Sequence, residues 1–259
     1  MNTVEIIETH AHLYLEDYTN DLDQVILRAG QEGIKKIYMP ALKNEYVDRM
    51  LRLEKEYPGM CVPMIGIHPA YIREDYEKEL ELLKEWLKKR AFAAIGEIGL
   101  DYYRDTAFKV QQSIAFREQI DLSLQYNLPI VIHSRAAMED TLEILKTSVM
   151  DGARGIFHCF SGTIENASEI IGYGFLLGIG GVVTYKNAGL AEVVAQVPLE
   201  HIVLETDAPY LTPAPFRGKR NESSYLKYVV KKIAELKGVS EEEVAQVTTS
   251  NARKIFKEN

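Results

Sequence analysis

Eight short apolar runs, each followed by a stretch whose apolar residues recur at helical spacing, constrain this chain more than any other feature. The runs span residues 4–7, 34–39, 62–67, 92–95, 129–132, 155–157, 175–179 and 202–204. Between them, Leu22, Val25, Ile26 and Ala29 share a helix face that Gly30 and Gly33 end, and residues 46–57 read as a helix stopped before Pro58. Leu80, Leu83, Trp86 and Leu87 form the next face. Residues 110–126 read as a long helix with Ile114, Ile120 and Leu124 turned inward. Further helices are expected over 138–146, 164–171, 188–197 and 225–236. Ser240 and Glu243 suit a capping box that opens a small extra helix, with a last short helix ending near Phe256.

Strands alternating with helices imply parallel pairing, and 259 residues suffice to close eight such units into a single-domain (β/α)₈ TIM barrel over residues 1–259. A doubly wound open sheet is the alternative. It predicts a glycine-rich phosphate turn after the first strand. Histidines stand there instead, in Glu8-Thr9-His10-Ala11-His12-Leu13.

Side chains at i and i+2 of a strand point the same way, so His10 and His12 project together as a bidentate grip for a metal. One such pair also suits an ordinary strand-loop junction. The other histidines decide between these readings. His68 follows the third apolar run, His133 the fifth and His158 the sixth, while Glu97 follows the fourth and Asp207 the eighth. Five of the six histidines thus fall at C-terminal strand ends, the face of a barrel where reactive groups gather. The sixth, His201, precedes the eighth strand and reads as a surface residue.

Four imidazoles and two carboxylates converging on one mouth fit two divalent cations, with magnesium, manganese and zinc all compatible. Glu97 is the candidate to bridge them, because Gly96 and Gly99 permit close approach around it. Asp207 is expected to be both ligand and base for an attacking water. Glu205 and Asp101 are placed behind the ligands to orient them. For Glu205, a structural partnership with an arginine is an equal alternative. Cys159, next to His158, is expected to face away into the core, and Cys61 to be packed as well.

The net charge of −8 opposes bulk attraction to nucleic acid and leaves room only for a local basic patch. Arg104, Arg135 and the Arg217-Gly218-Lys219-Arg220 segment supply one, with Arg135, Arg217 and Lys219 as phosphate-contact candidates. Tyr102, Tyr103, Tyr210 and Phe216 are candidates to stack on bases. No apolar run approaches the roughly 18 residues of a membrane span. With two cysteines and no apolar leader, a reducing cytoplasm is the expected location, and a monomer or weak oligomer the expected state.

The chain resembles the TatD family of metal-dependent deoxyribonucleases over essentially its whole length. The carriers are THAHL at 9–13, GIHP at 66–69, GEIGLDYY at 96–103, PIVIHSR at 129–135, FHCFSG at 157–162 and ETDAPYLTP at 205–213 with RGKRN at 217–221. The resemblance implies a barrel of the metal-dependent hydrolase superfamily. It implies ions held by His10, His12, Glu97, His133, His158 and Asp207, with Glu97 bridging; His68, the remaining strand-end histidine, is expected to bind substrate. It further implies hydrolysis of DNA phosphodiesters, often from the 3′ end of single strands. Two features depart from the family pattern. The acid before THAHL is Glu8 rather than aspartate, and Glu222-Ser223-Ser224 stands where a proline is usual. A metal-dependent ester or amide hydrolase, such as a deacylase of D-aminoacyl-tRNA, is the alternative activity, since fold and metals do not fix the substrate. A binding module without activity is disfavoured by the complete donor set.

Overall fold

The computed structural model describes residues 4–103 and 105–258. Strands and helices alternate in the order β1 (Ile6–Glu8), α1 (Leu22–Gln31), β2 (Ile34–Met39), α2 (Val47–Glu56), β3 (Cys61–Pro63), α3 (Tyr76–Lys89), β4 (Ile95–Asp101) and α4 (Lys109–Gln125). They continue as β5 (Ile130–Arg135), α5 (Met138–Ser148), β6 (Gly155–Phe157), α6 (Ile164–Gly172), β7 (Leu176–Ile179), α7 (Leu190–Gln196), β8 (Ile202–Leu204), α8 (Leu226–Lys237) and α9 (Glu241–Phe256). All strand pairing is parallel, in the orders β1-β2-β3 and β4-β5-β6-β7-β8. Backbone bonds close both seams. Thr9 N–H donates to Leu204 O at 2.9 Å and Asp207 N–H to His10 O at 3.0 Å, joining β1 to β8. Gly96 N–H donates to Ile65 O at 2.7 Å, joining β3 to β4. The result is the expected TIM barrel.

Ile7, Tyr38, Met64, Ala94, Val131, Ile156 and Val203 form one buried cluster drawn from around the barrel, and Ala252 and Ile255 of α9 pack against it. α9 lies at the N-terminal strand ends, where Thr249 Oγ1 donates to Glu5 O and Asn251 Nδ2 to Ile202 O. Phe256 stacks on Tyr38 with ring centroids 3.7 Å apart. The opposite, C-terminal mouth is left for chemistry. No helix among the described residues is long and apolar enough to cross a membrane.

Several expectations shift. The two short terminal helices are one, α9, whose cap is single-armed: Ser240 Oγ accepts from Glu243 N–H at 3.0 Å. β4 begins at Ile95 rather than residue 92 and carries Glu97 inside it. Ile114 is exposed, contrary to the inward face expected of it, because two buried glutamines take that side of α4. Gln112 Oε1 accepts from Asp101 N–H at 2.9 Å, and Gln119 Oε1 from Ile67 N–H at 2.8 Å. Satisfying buried strand-end amides outweighs burying one more isoleucine.

Candidate metal centre

β1 and the segment after it deliver His10 and His12, with their Nε2 atoms 3.2 Å apart. Glu97 reaches them from β4: its Oε2 is 3.2 Å from His10 Nε2 and 3.6 Å from His12 Nε2. Its other oxygen, Oε1, is 2.8 Å from His133 Nδ1, 3.4 Å from His68 Nε2 and 3.7 Å from His158 Nε2. One carboxylate therefore faces two sets of imidazoles. Asp207 Oδ1 completes the ring at 3.6 Å from His10 Nε2, 3.4 Å from His12 Nε2 and 3.7 Å from His158 Nε2. The glycines that frame Glu97 are required by close packing. A Cβ on Gly96 would stand 2.7 Å from Val131 Cβ, and one on Gly99 would stand 2.0 Å from His133 O.

Supporting contacts assign ring protons. Tyr14 OH donates to Pro40 O at 2.7 Å, an atom that can only accept. Its hydroxyl oxygen, 2.9 Å from His12 Nδ1, must then accept from that nitrogen. A neutral His12 so arranged turns an Nε2 lone pair toward two carboxylate oxygens and a second imidazole. Electron pairs crowded together with little solvent call for a cation among them, and the donor set fits divalent metal. Grouping by distance gives the same result: His10, His12 and Glu97 form one potential metal cluster, and His10, His158 and Asp207 another.

Glu205 stands behind His158, its Oε1 3.0 Å from His158 Nδ1 without hydrogen-bond alignment, and it accepts from Cys159 N–H at 2.5 Å. No arginine pairs with Glu205 among the described residues; its neighbours are the His158 ring and the Cys159 N–H. Asp101 stands likewise behind His133, with Oδ2 3.0 Å from Nε2.

His68, the expected substrate-binding histidine, stands in this ring beside Glu97 and His133. Grouping by distance places it with Glu97 and His133. However, its Nδ1 accepts from Ala70 N–H at 2.9 Å, capping a short 3₁₀ turn, so the neutral ring carries its proton on Nε2. Burial pushes its pKa down and favours that neutral form. His68 therefore presents an N–H, not a lone pair, to Glu97 Oε1 and to His133 Nδ1 at 3.2 Å.

Burial disfavours charge throughout, and the neighbours decide the net direction. At His10 burial dominates, with repulsion from His158 next, and the pKa falls to about 4. At His158 burial acts in the same direction, but Glu205, Glu97 and Asp207 together outweigh it and raise the pKa to about 10. These two rings stack at 3.4 Å between centroids, one neutral and one charged while no metal is bound. For Glu97, burial opposes ionisation and is overcome by His68, His10 and His158, which hold the carboxyl well below its usual range. Asp207 is also lowered: burial is overcome by His158, His12 and His10.

The basic residues stay on the rim. Arg135 lies with its guanidinium 3.9 Å over the Tyr103 ring, Arg217 lies 4.3 Å over Tyr185, and Lys219 is 5.6 Å from the Phe216 centroid. None of the three forms an ion pair among the described residues, whereas Arg220 is held by Asp21 at 2.7 Å. Arg104 lies outside the described residues. Of the aromatic candidates, Phe216 is covered by Tyr225 at 4.7 Å, and Tyr102 donates to Asp140 at 3.0 Å, while Tyr103 and Tyr210 are exposed. Cys61 is packed as expected, but Cys159 is only half-buried. Its φ of 47° breaks strand alternation and sets the thiol beside His158 and Glu205. Burial first, then the nearby acids, push the thiol pKa well up, which removes it as a nucleophile.

Tyr14 and Thr206 were missed by sequence reasoning. Tyr14 had a signal: it continues the two-residue spacing of His10 and His12. Thr206, wedged between Glu205 and Asp207, had none.

Histidine and carboxylate donors gathered at the C-terminal mouth of this barrel define a metal-dependent hydrolase. Comparison with known proteins gives the family. The model described as "TatD related DNase" matches residues 7–257. An uncharacterized metal-dependent hydrolase of Bacillus subtilis, YabD, is 44% identical over 98% of this chain and 100% of its own length. The protein named 3′-5′ ssDNA/RNA exonuclease TatD from Erwinia tasmaniensis is 31% identical over 92% of this chain and 95% of its own. Among solved structures, the TatD homologue YjjV of Escherichia coli superposes with a TM-score of 0.92 at 31% identity, over 98% of both chains. The chain belongs to the TatD family.

Proposed function

We propose that this protein hydrolyses phosphodiester bonds of DNA, releasing nucleotides from the 3′ end of single strands. The observation that carries this reading is the division of Glu97, with Oε2 toward His10 and His12 and Oε1 toward His133 and His158. Such a split carboxylate suits a pair of divalent ions, held by His10 and His12 on one side and by His133 and His158 on the other, with Asp207 closing the ring. Bound there, the ions would lower the pKa of water and neutralise charge developing on a phosphoryl group.

The chain's own groups account for the rest. Asp207, ionised at neutral pH and partly open to solvent at 15% side-chain exposure, accepts the proton of the attacking water. His68 would turn its Nε2–H, which faces Glu97 Oε1, to a phosphoryl oxygen once metal takes up that carboxylate. Arg135, the rim cation next in sequence to the ligand strand end, holds a further phosphate oxygen through its guanidinium fork, with Arg217 and Lys219 further along the strand path. Glu205 and Asp101 keep the imidazoles of His158 and His133 in place. The name borne by the Erwinia relative supports a nucleic-acid substrate.

The test is a panel of magnesium, manganese and zinc added to protein stripped of metal, assayed on single-stranded DNA, RNA and aminoacyl-tRNA. Metal-dependent shortening of DNA from the 3′ end is expected. Cleavage of the aminoacyl ester with DNA left intact would replace this reading with the deacylase one.

A further inference from the structure

A second set of donors meets on the Nδ1 side of the His158 ring. His158, the Cys159 thiol and a Glu205 carboxylate oxygen offer ligand atoms that lie within 4.8 Å of one another. The mouth uses the ring's other nitrogen: His158 Nε2 is 3.7 Å from both Glu97 Oε1 and Asp207 Oδ1. We propose that Cys159, Glu205 and His158 Nδ1 form a separate site for a thiophilic divalent cation such as zinc, and that an ion bound there draws His158 off the mouth.

Observations besides the thiol point to an ion. Glu205 is 1% exposed, and its Oε2 has no hydrogen-bond partner among the described residues. His158 Nδ1 is likewise unpartnered there, since Glu205 Oε1 at 3.0 Å is out of line with it. Buried polar atoms in a native fold are nearly always paired, so two orphans facing one thiol call for a missing guest. The backbone is shaped around the same carboxylate. A Cβ on Gly178 of β7 would stand 2.3 Å from Glu205 Oε2, so only glycine leaves the acid its room. Cys159 adopts the left-handed φ of 47°, a costly conformation for a residue with a side chain, and thereby gives its N–H to Glu205 Oε1 at 2.5 Å. Cys159 is only half-buried, which provides an entry path.

The donor types select the guest. Sulfur, imidazole nitrogen and carboxylate oxygen are the ligands that bind zinc in proteins. A thiolate suits soft ions, whereas magnesium and manganese favour carboxylate and water. The mouth, built of imidazoles and carboxylates, makes no such choice. On binding, a metal–sulfur bond replaces the S–H bond and the thiol proton leaves to solvent. The shared ring then couples the two sites. A neutral imidazole has one lone pair. With that pair on an ion at Nδ1, Nε2 carries the proton and turns an N–H, not a ligand, toward Glu97 and Asp207. The site therefore works as a brake, in which a surplus of soft ion loosens the hold of the mouth on its own metal.

The experiment titrates cadmium, a thiophilic ion, into manganese-saturated wild type, Cys159→Ala, Cys159→Ser and Cys61→Ala. Thiolate-to-cadmium absorption in the ultraviolet reports the sulfur bond, and electron paramagnetic resonance reports manganese set free. Alkylation followed by peptide mapping reports whether Cys159 is covered. Wild type and Cys61→Ala should show absorption from a single thiolate, protection of Cys159 and release of manganese in step. Both Cys159 variants should lack the absorption and keep their manganese until cadmium is at least about tenfold higher, the smallest loss usual on removing a group that supports a metal. Absorption that persists without Cys159, or a wild type with no absorption and Cys159 still open to alkylation, overturns the site. Absorption without release of manganese overturns the brake. None of these readouts uses hydrolysis, so their failure leaves the phosphodiesterase reading standing.

Discussion

Glu8 receives two hydrogen bonds from one residue, Thr206, whose N–H lies 2.6 Å from Oε1 and whose hydroxyl lies 2.9 Å from Oε2. Thr206 sits between Glu205, which stands behind His158, and Asp207, so this fully buried acid anchors the strand end that carries both. Among the described residues it forms no hydrogen bond or ion pair with the metal donors themselves. Burial pushes its pKa up to about 8 from an ordinary 4.5. The sign follows from linkage. The folded state holds this proton more tightly than the unfolded state, so the group's stabilisation is complete below pH 4.5 and is lost as pH rises toward 8. Glu8→Gln, neutral at every pH, should remove that slope. Melting curves of metal-free protein between pH 5 and 8 should show wild type losing ground to the variant as pH rises. Parallel curves would show that Glu8 does not titrate in the fold.

Glu97 and Glu8 are both buried acids on barrel strands, yet they should respond differently to change. Glu97→Ala removes both oxygens that face the two imidazole sets, and activity should fall at least about a thousandfold, the scale of losing a group that acts as part of a catalytic unit. Glu8→Asp retains an acceptor for Thr206 and should cost no more than about tenfold, as for an indirect contact to the ligands. Steady-state kcat/KM on DNA measures both. Comparable, near-wild-type rates would remove Glu97 from its bridging role.

How much of this was legible beforehand follows from the kind of geometry involved. The donors His10, His12, Glu97, His133, His158 and Asp207 could be located because a parallel barrel maps every strand's C-terminal end onto one rim, so position along the chain becomes position in space. Relations between rims and loops had no such map. Glu8 and Thr206 are 198 residues apart and meet only because β1 closes on β8. The proton position on His68 depends on a 3₁₀ turn that frees the Ala70 N–H toward Nδ1, a detail of backbone direction. Ile114 was misplaced because Gln112 and Gln119 look like surface residues until the strand amides they serve are in view.

Tyr14 holds His12 from behind in the way that Asp101 holds His133. Tyr14→Phe deletes one hydroxyl and leaves the ring packed against Tyr46. It frees the Nδ1 proton of His12 and the Pro40 carbonyl, a cost in stability of about 1–3 kcal/mol. Its signature should be a loss of metal affinity of roughly 10–100-fold, the range for removing a partner of a ligand imidazole. Competition against a chelator of known affinity would report it, with saturating metal restoring much of the activity. An unchanged affinity would mean that the His12 tautomer does not depend on Tyr14.

Metal and protons compete for the same nitrogens, and the two stacked rings should contribute unequally. His10, lowered to about 4, is already neutral at pH 7 and has no proton to give up. His158, raised to about 10 without metal, is charged at that pH. His133 is also raised: burial opposes its charge and is outweighed by bonds to Asp101 and Glu97. Ligand imidazoles must be deprotonated, so loading the centre at pH 7 should release protons, chiefly from His158. Calorimetric titration with metal in buffers of different ionisation enthalpy measures the number released. It should decrease as pH is raised toward 10, and decrease in His158→Gln. Apparent affinity should weaken steadily as pH falls, and hydrolysis with it. A rate held constant down to about pH 4, well under the reference histidine value of about 6.5, would mean that imidazoles do not hold the metal.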